Sequence, residues 1–144
     1  MKKFPEITEE SLLVRTDFSD DVAWIDLCKA LQEPSEEGFL AYLHFISDKA
    51  YEGLTVEQLV AFVLENGNHP LVFLADQITF TNSEQTILIV DFYEEVGRTF
   101  RVIPSEMWGI ENNLSISNMD FRDFADNVDP DGVFRGYPDP AAGG

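Results

Sequence analysis

Four apolar runs, each closing on or beside an aspartate, indicate that the chain folds around a β-sheet. Short apolar runs bounded by polar or turn-forming residues are typical of buried strands. A fifth segment alternates apolar and polar residues, which predicts a half-exposed strand. The five segments are SLLVRTDF (11–18), FLAYLHFISD (39–48), PLVFLAD (70–76), TILIVDF (86–92) and GRTFRVIP (97–104).

Amphipathic segments separate the first three strands, so helices are expected to connect them. Residues 19–32 and 55–66 carry apolar residues at helical spacing, and Ser19 is the predicted N-cap of the first helix. Thr55 and Gln58 fit a capping box at the start of the second helix. Because strands joined through a helix run parallel, the first three strands are expected to be parallel.

The remaining links are shorter and predict antiparallel pairing. Residues 77–85 are too few for a helical crossover, so the fourth strand is expected to reverse direction. The link YEEVG (93–97) predicts a hairpin between the fourth and fifth strands. After Pro104, two short helices are predicted at 105–112 and 119–128.

The predicted fold class is α+β, with an α/β-like N-terminal half. We expect a single domain over residues 1–144, with a mixed sheet of about five strands, two crossover helices and two short C-terminal helices. A chain of 144 residues, 44% of them hydrophobic, suits one domain with a core. Residues 1–9 and 138–144 are expected to be tails that fray or wrap around the domain.

The charge of the chain restricts its partners. Lys and Arg number 9 against 27 Asp and Glu, a formal net charge of −18. Such a field repels nucleic acid and anionic lipid and attracts basic protein surfaces. The N-terminal segment has no apolar h-region, no run approaches the ~18 residues of a membrane span, and one cysteine excludes an intrachain disulfide. We therefore expect a cytoplasmic protein, monomeric or homodimeric, without nucleic acid or membrane partners.

The strand-end aspartates are the first candidate site. The carboxyl ends of parallel strands meet at one edge of a sheet, so Asp17, Asp48 and Asp76 are expected together there. Asp91 ends a reversed strand and is expected at the opposite edge. Carboxylates gathered at one edge can hold a divalent cation such as magnesium, and no other cofactor is indicated. In the alternative interpretation these aspartates are turn and cap residues.

The segment NVDPDGVFRGYPD (127–139) partly resembles a calcium-binding loop. Asp129 and Asp131 occupy the third and fifth positions of the pattern, and Gly132 occupies the sixth. Position 12, which needs a bidentate glutamate, is Pro138, so the pattern fails where affinity is determined. An acidic turn made by DPDG is the favoured interpretation.

Catalysis by a nucleophile or by an acid and base has little support in the sequence. The chain has no G-x-S-x-G elbow, no P-loop and no dinucleotide-binding glycine motif. Cys28 lies on the flank of the inward face of its helix, where an inert thiol is expected. His44 lies in a strand and His69 in a turn, and neither spacing predicts a partner that would make it a base. The sequence therefore favours a non-catalytic role.

A recognition surface is the second candidate site. Arg98 and Arg101 lie close together on a predicted strand, just before PSEMWGIENN, which contains Trp108 and Glu111. Arginine and tryptophan are residue types that anchor protein interfaces. In the alternative interpretation, the arginines pair with nearby carboxylates and Trp108 fills the core.

The polar segment ENNLSISNMDF (111–121) extends this candidate surface. Asn112 or Asn113 can end the first C-terminal helix in a left-handed conformation, and Asn118 can cap the second helix. This cap chemistry favours a join between two helices. Glu111 and the asparagine that does not end the helix stay candidates for a surface contact.

Several longer phrases of the chain, taken together, resemble a known family. They are RTDFSDDVAW, AYEGLTVEQL, GRTFRVIPSEMWGIENNLSISNMDF and DGVFRG. The family consists of small acidic bacterial proteins classed as a domain of unknown function, and the resemblance covers residues 8–137. It implies a cytoplasmic bacterial single-domain protein with no assigned activity, and it supplies no catalytic residues.

The sequence favours one function and leaves one alternative. The negative charge, the small size and the lack of a catalytic motif favour a non-catalytic interaction module, such as an inhibitor or immunity-type partner of a basic protein. The alternative is a small enzyme or ligand-binding domain that uses the strand-end aspartates with a divalent cation.

Overall fold

The computed structural model describes residues 10–66 and 69–137, in which a six-stranded mixed sheet carries helices on both faces. Residues 1–9 and 138–144, predicted to be tails, lie outside the described residues. The strands are β1 (Ser11–Arg15), β2 (Leu43–Ile46), β3 (Leu71–Ala75), β4 (Ile87–Asp91), β5 (Thr99–Val102) and β6 (Val133–Phe134). The helices are α1 (Asp21–Leu31), α2 (Val56–Asn66), α3 (Gln77–Thr81), α4 (Met107–Ser115) and α5 (Phe121–Ala125), with 3₁₀ turns at Lys49–Tyr51 and Pro104–Glu106.

The strand directions follow the lengths of the links between the strands. The order across the sheet is β2-β1-β3-β4-β5-β6. β1 is parallel to β2 and β3, whereas β4 is antiparallel to both β3 and β5. The predicted α+β class and mixed sheet are therefore confirmed. β6 pairs parallel with β5 and was not predicted, because a strand of two residues is too short to show a pattern.

The link between β3 and β4 holds a short helix, α3, that the sequence pattern did not predict. Its five residues begin with a capping box. The Asp76 carboxylate accepts a hydrogen bond from the Thr79 backbone N–H at 3.2 Å, and the Thr79 hydroxyl accepts one from the Asp76 backbone N–H at 3.1 Å. The helix does not carry the chain across the sheet, so β4 returns antiparallel, as predicted.

Apolar side chains alternate between the two faces of the sheet and form two cores. α1, α4 and α5 supply the core on one face, and α2 supplies the core on the other. Every residue of β3 is buried, so this strand contributes to both cores. The larger core includes Leu13, Trp24, Leu27, Phe73, Ile89, Phe100, Ile110 and Phe121, and the smaller includes Leu12, Val14, Leu59, Val63, Val72 and Val90. In the described ranges no helix has the length and hydropathy to cross a bilayer.

The start of α1 differs from the prediction, whereas the start of α2 agrees with it. Asp20 is the N-cap of α1, because its carboxylate accepts a hydrogen bond at 3.0 Å from the backbone N–H three residues later. The prediction of Ser19 was wrong, because the Ser19 N–H donates to the Asp17 carboxylate at 2.8 Å and so lies in the preceding turn. The capping box of α2 is confirmed by reciprocal bonds of 3.0 and 3.1 Å between Thr55 and Gln58.

α4 is longer than predicted. It continues to Ser115, so neither Asn112 nor Asn113 ends it, and that prediction was wrong. The left-handed conformation falls on Ser117, at φ 56°. Asn113 instead donates from its side chain to the Gly109 carbonyl at 2.7 Å, a bond within the helix.

α5 is shorter than predicted and is capped by a different residue. Asp120 is its N-cap, and the Asp120 backbone N–H donates to the Asp123 carboxylate at 2.8 Å. The prediction that Asn118 caps this helix was wrong, because its amide donates to the Asn113 side-chain oxygen at 2.8 Å. The polar segment is thus a join between α4 and α5.

Candidate functional site

Three strand-end aspartates share one edge of the sheet, because β1, β2 and β3 are parallel. Two of them are bound locally. Asp17 accepts a hydrogen bond from the Ser19 backbone N–H at 2.8 Å, and Asp48 accepts one from the Ala50 backbone N–H at 2.9 Å. Asp91 lies at the opposite edge, as predicted, because β4 is antiparallel to its neighbours.

Asp76, the third of these aspartates, is held by Arg101. The guanidinium donates to the two carboxylate oxygens at 2.6 and 3.1 Å and to the Thr86 carbonyl at 3.2 Å. Within residues 10–66 and 69–137, no group of three or more His, Cys, Asp or Glu is arranged to hold a metal ion. Asp17, Asp48 and Asp76 are therefore not brought together as a set of metal ligands.

A crevice of about 520 Å³ opens at this edge between β1 and β3. α1 and α2 pack on opposite faces of the sheet, so the crevice lies where the crossover connections diverge. Ligands of open α/β sheets usually bind at such a point. The lining includes Asp17, Phe18, Glu52, Leu54, Asp76 and Ile78.

Arg98 and Arg101 bind separate carboxylates and do not form one surface. Arg98 donates to the Glu95 carboxylate at 2.6 Å and also to that of Asp126. Arg101 is occupied by Asp76. The alternative interpretation is confirmed for the arginines, which pair with carboxylates of the chain, but not for Trp108, which does not fill the core.

Glu111 is buried, so the prediction that it makes a surface contact was wrong. Its exposed fraction is 1%. The carboxylate accepts hydrogen bonds from the Ser11 hydroxyl and the Tyr42 backbone N–H, both at 2.8 Å, and from the Asn112 amide at 3.2 Å. Asn112 also donates to the Leu40 carbonyl at 3.0 Å. These bonds fix α4 against the chain segment that precedes β2.

Trp108 lies at an open groove rather than in the core. Its indole stacks on the Phe39 ring, with centroids 5.2 Å apart and planes 12° apart. Phe39 was predicted to lie in a strand, but it belongs to the loop before β2 and is 50% exposed. The groove has a volume of about 560 Å³ and is formed by residues 30–41 and 104–108.

This cavity, the acidic groove, combines apolar and acidic groups. Its apolar lining comes from Leu31, Pro34, Leu40, Ala41, Met107 and Trp108. Its acidic lining comes from the groove glutamates, Glu33, Glu36 and Glu37. These glutamates were not singled out in the sequence, and the signal that they carried was three acids in five residues, with Lys29 as the nearest basic residue.

The groove glutamates have no cationic partner among the described residues. Every arginine in that part of the chain forms a salt bridge with another carboxylate, and neither Lys29 nor Lys49 forms one with a groove glutamate. Glu37 accepts a long hydrogen bond of 3.4 Å from the Ser35 hydroxyl, and no side-chain hydrogen bond involves Glu33 or Glu36 in the described ranges. Neighbouring like charges repel, so the groove attracts a cation from outside the chain.

The segment that partly resembles a calcium loop forms an acidic turn held by an arginine. Arg135 donates to Asp129 at 2.6 Å, to Asp131 at 2.7 Å and to Glu84 at 2.7 and 2.8 Å. The turn closes through a 2.8 Å bond from the Gly132 N–H, at φ 83°, to the Asp129 carbonyl. The predicted acidic turn is confirmed. We call this arginine and its three carboxylates the Arg135 clamp.

The remaining titratable candidates do not form a nucleophilic site. Burial raises the pKa of the Cys28 thiol to about 11, against a smaller opposing effect of the Arg15 charge. The thiol is therefore protonated at neutral pH, and a thiolate nucleophile is not available there. His44 lies on the edge strand β2, and His69 is buried just before β3.

Fold and groove together define a small single-domain α+β protein that presents an open acidic groove. The chain belongs to the family described as Domain of unknown function (DUF6924), which matches residues 10–137. The resemblance to a domain of unknown function is confirmed. A search among curated proteins found no match to the chain.

Proposed function

We propose that this protein is a non-catalytic protein–protein interaction module, an inhibitor or immunity-type partner of a basic protein, in the cytoplasm of a bacterium. The observation that carries the proposal is the acidic groove. It joins an apolar cavity to three glutamates that bind no cation of the described chain. A basic partner would supply the missing charge.

The whole charge of the chain supports the same kind of partner. A net charge of −18 produces a field that draws basic surfaces toward the protein and repels acidic ones. Such steering speeds association and makes it sensitive to salt, because ions screen the field over about 8 Å at physiological ionic strength. Affinity must then come from a buried anchor at the centre of the contact.

Trp108 is suited to be that anchor. Tryptophan is enriched at the energetic centres of interfaces, and this indole lines the groove while remaining partly exposed. Stacking on Phe39 holds the ring in place before a partner arrives. The bond from Asn112 to the Leu40 carbonyl also ties the two sides of the groove together. A preformed groove loses little conformational entropy on binding.

A capture experiment tests the proposal with matched variants. The whole protein is immobilised beside a groove variant, Glu33→Gln with Glu36→Gln, and a control, Glu57→Gln with Glu65→Gln on the exposed side of α2. Both doubles remove two negative charges. At low salt, we expect the wild type and the control to capture one basic protein from the source organism that the groove variant does not retain. If no captured protein distinguishes the groove variant from the control, the proposal fails.

A second candidate function is binding of a small ligand or small-molecule catalysis at the crevice between β1 and β3. The observation in its favour is that Asp17 and Asp76 line a cavity of about 520 Å³ at the point where the crossovers diverge. A divalent cation bound only by the folded state would raise the melting temperature. Melting with and without millimolar magnesium chloride tests the cation version, and an unchanged melting temperature excludes it.

A further inference from the structure

Arg15 shows how this chain holds a guanidinium group. The guanidinium carbon lies 4.3 Å from the centroid of the Phe18 ring and 5.5 Å from that of Trp24. The same group donates to the Asp21 carboxylate at 2.8 Å and to the Ser47 hydroxyl at 3.3 Å. Arg15 is 3% exposed. Aromatic faces and a carboxylate therefore hold an arginine largely out of water in this protein.

The acidic groove contains the same kinds of chemical group without the arginine. Trp108 lines the groove, and Phe39 supports the indole from one side. Glu33 and Glu36 line the same cavity and form no salt bridge within the described part of the chain. The groove thus offers an entering cation both an aromatic side chain and carboxylates.

Arginine matches this combination better than lysine. The guanidinium is planar, so it can stack on an indole while its N–H groups donate to a carboxylate in the same plane. It is also more weakly hydrated than an ammonium group, which makes transfer into a partly apolar cavity less costly. Lysine offers a compact charge that satisfies the carboxylates but stacks poorly.

We propose that the acidic groove selects an arginine side chain of its basic partner over a lysine. The guanidinium stacks on Trp108 and donates to Glu33 or Glu36. This inference rests on the proposed function and adds the residue type that the groove recognises. It concerns a single side chain, so short peptides can test it without knowledge of the partner.

Two acetylated and amidated peptides that differ only in one residue, arginine or lysine, provide the probe. Each is titrated into the full chain while the indole N–H resonances of Trp108 and Trp24 are followed by NMR. We expect the Trp108 resonance to shift with both peptides, with a Kd about five-fold lower for arginine. The buried Trp24 resonance should stay in place. Equal Kd values for the two peptides would overturn the inference.

Variants identify which side chains of the groove bind the peptides and which produce the preference for arginine. Trp108→Leu keeps an apolar side chain but removes the aromatic face, so the preference for arginine should disappear. Glu33→Gln with Glu36→Gln should weaken both peptides. The control double on α2, Glu57→Gln with Glu65→Gln, changes the net charge equally and should change neither Kd. The melting temperature of each variant confirms that it folds.

The two proposals fail in different ways. If the α2 control weakens the peptides as much as the groove double does, binding follows net charge and the arginine inference is overturned. If the capture experiment yields a groove-dependent basic partner while both peptides bind equally, only the arginine inference is overturned. If no groove-dependent partner is captured, the proposed function itself fails.

Discussion

Two acidic regions of this protein use their carboxylates in opposite ways. In the Arg135 clamp, three carboxylates from two parts of the chain share one guanidinium, at distances between 2.6 and 3.1 Å. In the acidic groove, three glutamates lie within five residues and no cation of the described chain binds them. Both regions contain three carboxylates, so the difference between them lies in where the positive charge comes from.

The ionisation of the clamp follows from its arginine. Hydrogen bonds from Arg135 lower the pKa of Glu84 and of Asp131, and these carboxylates raise the pKa of Arg135. The clamp joins the turn before β6 to the link before β4, and so it supports the fold. The groove glutamates have no such compensation, and their mutual repulsion opposes folding. We infer that charge in the clamp serves the fold, whereas charge in the groove serves a partner.

The largest expected effect concerns a third kind of carboxylate, Glu111, which is buried and bound by hydrogen-bond donors rather than by a cation. Glu111→Ala removes the acceptor of the Ser11 hydroxyl, the Tyr42 N–H and the Asn112 amide. We expect the free energy of unfolding to fall by about 3 kcal/mol, as measured by urea denaturation. Glu111→Gln keeps one acceptor oxygen and should lose less. A loss below about 0.5 kcal/mol for the alanine variant would show that Glu111 contributes no more to stability than an exposed carboxylate does.

The next effect is at the clamp itself. Arg135→Met leaves Glu84, Asp129 and Asp131 close together without their shared cation, so we expect the melting temperature to fall by a few degrees. The fall should become smaller in high salt, which screens the repulsion. Arg122→Met is the matched control, because Arg122 is 64% exposed at the side chain and its only salt bridge in the described ranges is 3.6 Å long. Equal effects of the two substitutions would show that the clamp contributes nothing specific.

The pH dependence of stability tests whether Arg135 stabilises the charged carboxylates of the clamp. Because the folded pKa values of Glu84 and Asp131 lie below the ordinary 4.5 and 3.8, their contribution to stability is complete above those values and is lost as the pH falls through the folded ones. Between about pH 6 and about pH 3, wild type should lose stability more steeply than Arg135→Met. Urea midpoints at several pH values measure this.

Other carboxyls do not disturb this comparison. Burial raises the pKa of Glu106 and, with nearby Asp120, that of Glu94. Their contributions have the opposite sign and are lost as the pH rises. They are present in both proteins and cancel in the difference. Parallel curves for wild type and Arg135→Met would contradict the assignment of the pKa shifts to Arg135.

The sheet could be predicted from the sequence because its topology depends on local signals. The segments between the first three strands have apolar residues at helical spacing, which predicts parallel strands. The links after the third strand are short, which predicts antiparallel strands. Helix ends were less predictable, since Ser19 and Asp20 are both good N-cap residues. The hydrogen bond from the Ser19 N–H to Asp17 places Ser19 in the preceding turn, so Asp20 becomes the N-cap. The burial of Glu111 had a signal that was missed: it shares helical spacing with the buried residues Met107, Ile110 and Leu114.

The acidic groove could not be predicted because it depends on contacts between distant parts of the chain. Residues 30–41 and 104–108 are far apart in the sequence and meet only in the folded chain. The stack of Phe39 on Trp108 and the bond from Asn112 to the Leu40 carbonyl leave no periodic trace in either segment. Of the residues predicted for the candidate surface, Trp108 lines the acidic groove, whereas Arg98, Arg101 and Glu111 bind other parts of the chain.

The smallest expected effect on stability is the one that separates the two acidic regions most directly. Replacing the three groove glutamates with glutamine changes the net charge by the same amount as Glu84→Gln with Asp129→Asn and Asp131→Asn. The groove triple breaks no salt bridge of the described chain, so its free energy of unfolding should stay within about 0.5 kcal/mol of wild type or rise slightly as repulsion is relieved. The clamp triple leaves Arg135 without its partners and should lower the urea midpoint. If both triples lower it equally, the groove glutamates support the fold as the clamp does, and their availability to a partner can no longer be inferred from the lack of an internal cation.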